Sequence, residues 1–357
     1  MPAVILVRLI EPHLDIAHPR PPRKGTRPAS EETRTCKPRS LMLRLVADAR
    51  AVAMFLSLLL SSGPAPADSI QLPLPAEVVM NKEAGRGGWL IVSVRLESGE
   101  ELPMIVDTGA PIMLLDTCLA PRLGTRLDTT IIRSFRGEQS GGVYAAPKFY
   151  LGSVPLLTGS NLIVCNFSKL MSRSKPPIKG ILGMDCLRHY CFQLDFEAGK
   201  MRFLKSGHLN PSVLGKAFPL RLTADGENRD GEIRPTIQHA GLLGDVGTNS
   251  VIDTGNNEDG MAKARSIRRH ADGSYSGSGW KRLKHFLAVE GLVNRDVVLP
   301  GCVWDGNTYT NIAVGRGPGD APNWIGLRFL ARHLVTFDFP NQTLYLKQIR
   351  VGPIGRP

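Results

Sequence analysis

The chain has 357 residues, a formal net charge of +12 and 42% hydrophobic residues, a length and apolar share that suit a folded soluble protein of about two domains. Aromatics make up only 6% and are not interleaved with the basic residues, the run Arg265, Arg268 and Arg269 included. The positive charge therefore reads as a solvated face, and a nucleic-acid partner is excluded. The 37 glycines and 27 prolines favour many short strands over long helices.

Residues 1–41 are rich in proline and arginine without a sustained apolar period, and are expected to be disordered or a non-native upstream extension. Residues 42–67 carry the pattern of a secretory signal peptide. Met42-Leu43-Arg44 and Arg50 supply the basic region, Ala51 to Leu60 the apolar core, and Ala65-Pro66-Ala67 the small residues of a cleavage site. About ten apolar residues fall short of the roughly 20 that span a bilayer, so no stable membrane span is expected once the signal is removed. The expected product is exported to a periplasm or the exterior after cleavage near Ala67. Taking the leader's ten Lys and Arg and five Asp and Glu from totals of 44 and 32 leaves 34 against 27, a net of +7.

Beyond the leader the chain repeats itself. Met104-Ile105-Val106-Asp107-Thr108-Gly109-Ala110 and Val251-Ile252-Asp253-Thr254-Gly255-Asn256 place two Asp-Thr-Gly triplets after apolar runs, 146 residues apart. A strand that ends in Asp and turns sharply through glycine presents a carboxylate at a fixed point. Two such strands brought together give a pair that cannot both ionise and that shares one proton. The threonines are placed to hydrogen-bond backbone and hold each turn, and the glycines to let backbone approach without a Cβ.

A second match is longer. Ile181-Leu182-Gly183 and the residues through Phe196 align without a gap against Trp324-Ile325-Gly326 through Phe339, with Asp-Phe beginning 12 residues after each glycine. Asp107 to Gly183 is 76 residues and Asp253 to Gly326 is 73, so the two halves hold the same parts in the same order. Each half is predicted to open on strands such as Trp89 to Leu96. A short helix follows the glycine, over Met184 to Tyr190 and Leu327 to His333. Each half closes on a hairpin, Cys191–Phe196 with Met201–Leu204 and Leu334–Phe339 with Thr343–Leu346. The link between halves falls near Ser206 to Pro211, which gives domains of 68–207 and 208–357.

Competing chemistries find little support. Of six cysteines, Cys36 lies in the leader; Cys118, Cys165, Cys186, Cys191 and Cys302 match no zinc spacing, and no pairing follows from sequence. No His-Glu-x-x-His, Gly-x-Ser-x-Gly or phosphate-cradling loop occurs, so neither a metal nor any other cofactor is expected.

With apolar-apolar-Asp-Thr-Gly followed some 75 residues later by apolar-apolar-Gly, once per half, residues 78–347 resemble the aspartic peptidases. The likeness is to the bilobal pepsin-like arrangement or a duplicated bacterial retropepsin-like one. It implies an all-β fold of two similar six-stranded-type lobes with an active-site cleft between them, acting as a monomer on an extended polypeptide. It implies Asp107 and Asp253 as the catalytic pair, with Thr108, Gly109, Thr254, Gly255, Gly183 and Gly326 supporting the turns. The family's flap would map to Gly141-Gly142-Val143-Tyr144, with Gly142 and Tyr144 over the substrate. Gly277-Ser278-Gly279-Trp280 is either its counterpart or a surface loop. Pepsin-like chains carry Ser or Thr where Ala110 and Asn256 stand here; Asn256 retains the capacity to donate to a carboxylate. Two functions fit this pattern: an aspartic endopeptidase, and an inactive relative that binds peptides.

Overall fold

The computed structural model describes residues 5–8, 77–134, 137–151, 154–167, 177–222, 233–244, 247–267, 297–317 and 323–355. The signal segment 42–67, Arg268, Arg269 and the loop 277–280 lie outside the described residues. Among the described residues two large sheets, of ten and twelve strands, carry the fold, and the helices have six residues at most. No helix among the described residues is long and apolar enough to cross a membrane.

The duplication seen in the sequence is a duplication of strand order. In the first lobe, Glu101–Val106 runs into Asp107, with Ile91–Leu96 antiparallel on one side and Gly180–Leu182 parallel on the other. Gly180–Leu182 pairs in turn with Leu114–Asp116, and that strand lies parallel to Asn161–Cys165. In the second lobe Ser250–Asp253 lies between antiparallel Thr236–Ile237 and parallel Asn323–Gly326. Asn323–Gly326 continues to Gly260–Ala262, which is parallel to Asn307–Arg316. Both Asp-Thr-Gly strands are covered on either side, and their sequences read accordingly as unbroken apolar runs: Met104, Ile105 and Val106 are at most 1% exposed, Val251 and Ile252 at most 2%.

Each apolar-apolar-Gly strand leads directly into a single helical turn, Met184–Leu187 and Leu327–Leu330, shorter than predicted because the next residues are needed for the closing hairpins. Those hairpins, Cys191–Asp195 with Lys200–Leu204 and His333–Asp338 with Thr343–Gln348, fall where the sequence placed them.

The lobes do not separate at residue 207. The first lobe's hairpin pairs antiparallel with the second lobe's through Cys191–Asp195 and His333–Asp338, and Glu77–Val79 and Lys216–Arg221 complete a shared six-stranded platform. Gln193 faces Thr336, its own counterpart in the repeat, and Gln193 Nε2 donates to Thr336 Oγ1 at 3.0 Å. The local two-fold relation between the halves therefore passes through that pair. Phe192 packs on Phe337 and Phe339, with ring centroids 5.1 and 5.8 Å away, so the platform's apolar face is built from both halves. The expected linker is an ordered corner, a tight turn at Ser206–His208 followed by helix Pro211–Leu214, whose first amides are capped by Asn210 Oδ1.

One expectation for the leader is corrected: Ile5–Arg8 forms a strand paired with Asp128–Ser134. Its run of Ile, Leu and Val suits an added edge strand, which the proline-rich surroundings masked in the sequence. All five described cysteines are unpaired thiols.

Because Phe337 is fully buried between the two halves, Phe337→Ala is expected to cost about 3–5 kcal/mol. It should lower the midpoint of one common urea transition. Two transitions in the parent protein, one per half, would contradict the shared platform.

Candidate active site

The two Asp-Thr-Gly turns meet, and the threonines join them. Thr108 N–H donates to Thr254 Oγ1 at 3.0 Å, and Thr254 N–H donates to Thr108 Oγ1 at 3.0 Å. Each hydroxyl then donates onward to a carbonyl of the opposite strand, Thr108 Oγ1 to Ile252 O and Thr254 Oγ1 to Val106 O, both at 2.7 Å. The sequence suggested that each threonine holds its own turn; each in fact holds the other lobe's. All four partners are buried, so every bond in this bracket is shielded from competing water.

The bracket sets the carboxyls face to face. Asp107 and Asp253 are 2% and 0% exposed. The role of the glycines follows from what lies opposite them. A Cβ on Gly255 would strike the Asp107 carboxyl, and one on Gly109 would strike that of Asp253. Each lobe's glycine thus vacates the space that the other lobe's aspartate occupies.

The hydrogen bonds at the two acids are unequal. Asp107 Oδ1 accepts from Gly109 N at 2.8 Å and Ala110 N at 3.1 Å. Asp253 Oδ1 accepts from Gly255 N at 2.9 Å, and its buried Oδ2 has no hydrogen-bond partner. Burial raises the Asp107 carboxyl above its ordinary range, opposed by its contacts with Asp253 and the two amides. Burial raises Asp253 well above its own, and the neighbouring Asp107 charge raises it further. Two buried carboxyls this close resist ionising together, and Asp107 has two amide donors for its charged form against one at Asp253.

Gly183 and Gly326 lie against the two Asp-Thr-Gly turns. Asp107 N–H donates to Leu182 O at 3.0 Å, and Met184 N–H to Ala110 O at 2.8 Å. In the second lobe Leu327 N–H donates to Asn256 O at 2.6 Å and Gly326 N–H to Asp259 O at 2.9 Å. A Cβ on Gly183 would run into the Ile112 carbonyl, and one on Gly326 into those of Glu258 and Asn256. The apolar-apolar-Gly strand has to pass the catalytic turn at backbone contact distance.

Two expectations are corrected. Asn256 does not donate to the dyad: its Oδ1 accepts from Glu258 N at 3.1 Å, which fixes the turn, while its buried Nδ2 has no partner. Gly142 and Tyr144 do not form a mobile tip. They lie within strand Gly137–Ala145, paired with Asn161–Cys165, and Tyr144 packs on the hydrophobic core. The hairpin Asp128–Ser134 with Gly137–Ala145 exists, but Gly141 and Gly142 face Thr130 and Thr129 along its length, away from the Ser134–Gly137 end where the strands reverse.

Two features escaped the sequence reading. Asp259 and Arg332, both buried, pair at 2.8 Å, and Arg332 also bonds the carbonyls of Thr310, Asn311 and Val351. This pair pins the far end of the second catalytic turn, and nothing in the repeat announces it, because Met113 and His189 stand at the corresponding places. The other is Arg234, 5% exposed, whose Cζ lies 5.4 Å from the Trp324 ring centroid. Its position 19 residues before Asp253, against Trp89 18 before Asp107, could have drawn notice had the lobes been aligned upstream of the triplets.

Comparison with known proteins agrees with this geometry. Residues 92–186, which span the first Asp-Thr-Gly and its supporting glycine, match the family model described as aspartyl protease. The first lobe is thus similar to the aspartyl protease family over those residues. No curated protein matches its sequence. Among solved structures it is similar to the aspartic proteinase from Irpex lacteus, at 14% identity and a TM-score of 0.48, over 77% of this chain and 97% of that one. The family model stops short of the second lobe, where Asp253, Thr254, Gly255 and Gly326 rest on the geometry above.

Because each threonine hydroxyl and amide in the bracket is buried, Thr108→Ala or Thr254→Ala should cost about 1–3 kcal/mol per orphaned partner. The double variant should cost less than the sum, since both remove one shared network. Additive losses in urea unfolding would argue against the reciprocal bonds. The raised Asp253 value also fixes a sign: stability is fully present below the unfolded value near 3.8 and is lost as pH rises through the folded one. Asp253→Asn should flatten that decline in thermal unfolding.

Proposed function

We propose that the protein is an aspartic endopeptidase in which Asp107 and Asp253 activate a water against a peptide bond. The observation that carries the reading is the buried pair of carboxyls that the threonine bracket brings together. Asp107, supported by two amides, takes a proton from the water as the oxygen attacks the scissile carbonyl carbon. Asp253 donates its proton to the carbonyl oxygen, so charge does not build up on the tetrahedral intermediate. The C–N bond then breaks as the leaving nitrogen is protonated, and the pair returns to its shared-proton state. An extended peptide would lie between the lobes as an added strand, with main-chain hydrogen bonds for affinity and pockets for alternate side chains. No cofactor enters this scheme.

The unequal support of the two acids favours an enzyme over an inactive binder. A lone amide at Asp253 is poor provision for a second anion, and suits a carboxyl that keeps its proton and gives it up during reaction. The leader points to export and the two lobes in one chain to a monomer, and localising the tagged protein by cell fractionation tests the first part.

Denatured casein should be cleaved by the full chain from acid to neutral pH, with activity falling once rising pH ionises both acids. Asp107→Asn and Asp253→Asn should each remove cleavage, by about 10³-fold or more as for other cooperating catalytic groups, while thermal unfolding stays cooperative. Undiminished cleavage by either variant would end the dyad proposal. Absence of cleavage by the parent, with a statine-type peptide still bound, would identify the peptide-binding relative instead.

A further inference from the structure

The two lobes treat one equivalent position in opposite ways. Upstream of each catalytic strand lies an antiparallel neighbour. In the first lobe Val106 N–H donates to Leu90 O at 2.9 Å; in the second Ile252 N–H donates to Pro235 O at 2.8 Å. One step back along each neighbour stands Trp89 in the first lobe and Arg234 in the second. Thr236 pairs with Val251, so extending that register by two places sets Arg234 alongside Asp253. Trp89 packs on the first lobe's smaller apolar cluster. Arg234 instead is buried with its guanidinium over Trp324, the first residue of the Trp-Ile-Gly segment that flanks the catalytic strand.

We infer that Arg234 is the electrostatic partner of the catalytic pair, a fixed cation that balances the single negative charge Asp107 and Asp253 share. Burying a guanidinium costs several kcal/mol unless an anion or several acceptors compensate it. The dyad in its one-proton state adds an anion to the partners that the guanidinium already has. Stacking on Trp324 holds the planar group in place with its charge retained. The field of Arg234 acts on both acids, in the direction that favours ionisation.

Among the described residues, the charged groups on and beyond the two turns act on one another. Asp107 and Asp253 act on each other. On the turn beyond, Asp259 is neutralised by Arg332 at 2.8 Å, while Arg328 lies 3.7 Å from Asp259 and 3.9 Å from Glu258. The cation at 234 thus extends the one-proton state to lower pH than two buried carboxyls alone would permit.

This inference rests on the dyad of the proposed peptidase, but its test does not need cleavage. Thermal stability against pH is measured for the full-length parent, Arg234→Lys and Arg234→Gln, each also with Asp107→Asn and Asp253→Asn combined. The sign is fixed: without the cation the acids hold their protons more tightly in the folded state. The loss of stability with rising pH should therefore be larger in Arg234→Gln and extend to higher pH. Arg234→Lys should follow the parent, and the difference should vanish when both aspartates are asparagine. Profiles that differ only by a constant offset, or a difference that survives in the double-asparagine background, would overturn the inference.

Should Arg234→Gln fail to fold, Arg234→Met, closer in volume, replaces it. Carbon-13 titration of the two carboxyls in the parent and Arg234→Met reads the same field, and carboxyls that ionise at the same pH in both proteins would overturn the inference. If the parent cleaves casein, Arg234→Gln should lose about tenfold at the acid edge of its pH profile and retain activity further into alkali. A parent that cleaves nothing yet shows the Arg234-dependent stability profile would defeat the peptidase reading and leave this one standing.

Discussion

Everything at the centre of this molecule depends on two threonine hydroxyls, each accepting from the other's amide and donating across to the opposing strand. Buried hydrogen bonds of this kind are individually modest, but leaving any one of them unmade strands a polar group where no water can reach it. The arrangement is therefore close to all-or-none. The carboxyls do not hold themselves in place; their mutual repulsion opposes the approach. The bracket at Thr108 and Thr254 is what holds that approach in place.

A second constraint works at the other end of the same two-fold relation. Gln193 and Thr336, counterparts in the repeat, face each other in the platform strands, with Phe192, Phe337 and Phe339 packed beside them. The platform and the threonine bracket fix the relation of the halves at two separate places. A tilt about either alone would displace the acids by enough to break the sharing of a proton. The glycines at 183 and 326 join the two levels, since each lies between a catalytic turn and the helical turn that leads down to the platform hairpin.

Much of this was legible from sequence, because the features concerned are local and repeated. Asp-Thr-Gly after an apolar run specifies a buried strand and a turn, and the gap-free match from Ile181 and Trp324 fixed the order of strand, helical turn and hairpin. Contacts between distant segments were not legible. Nothing in Thr108 indicates that its hydroxyl reaches Ile252, and a threonine in a tight turn ordinarily serves its own backbone. The position of the hairpin tip was misread for a similar reason: Gly141-Gly142 looks like a turn, yet both residues lie within a strand paired on either side. Single-lobe features such as Arg234 and the Asp259–Arg332 pair were invisible to a reading that looked for what the halves hold in common.

Those single-lobe features follow from the covalent continuity of the two halves. A site assembled from two identical chains must carry every residue twice, so a buried arginine on one side would be matched by another across the axis, and the dyad would face two cations. Here the second catalytic strand has an arginine alongside it where the first has Trp89. Joining the copies in one polypeptide released each from the obligation to mirror the other. The scaffold kept its symmetry where geometry demands it, and the charges around the shared proton were free to become one-sided.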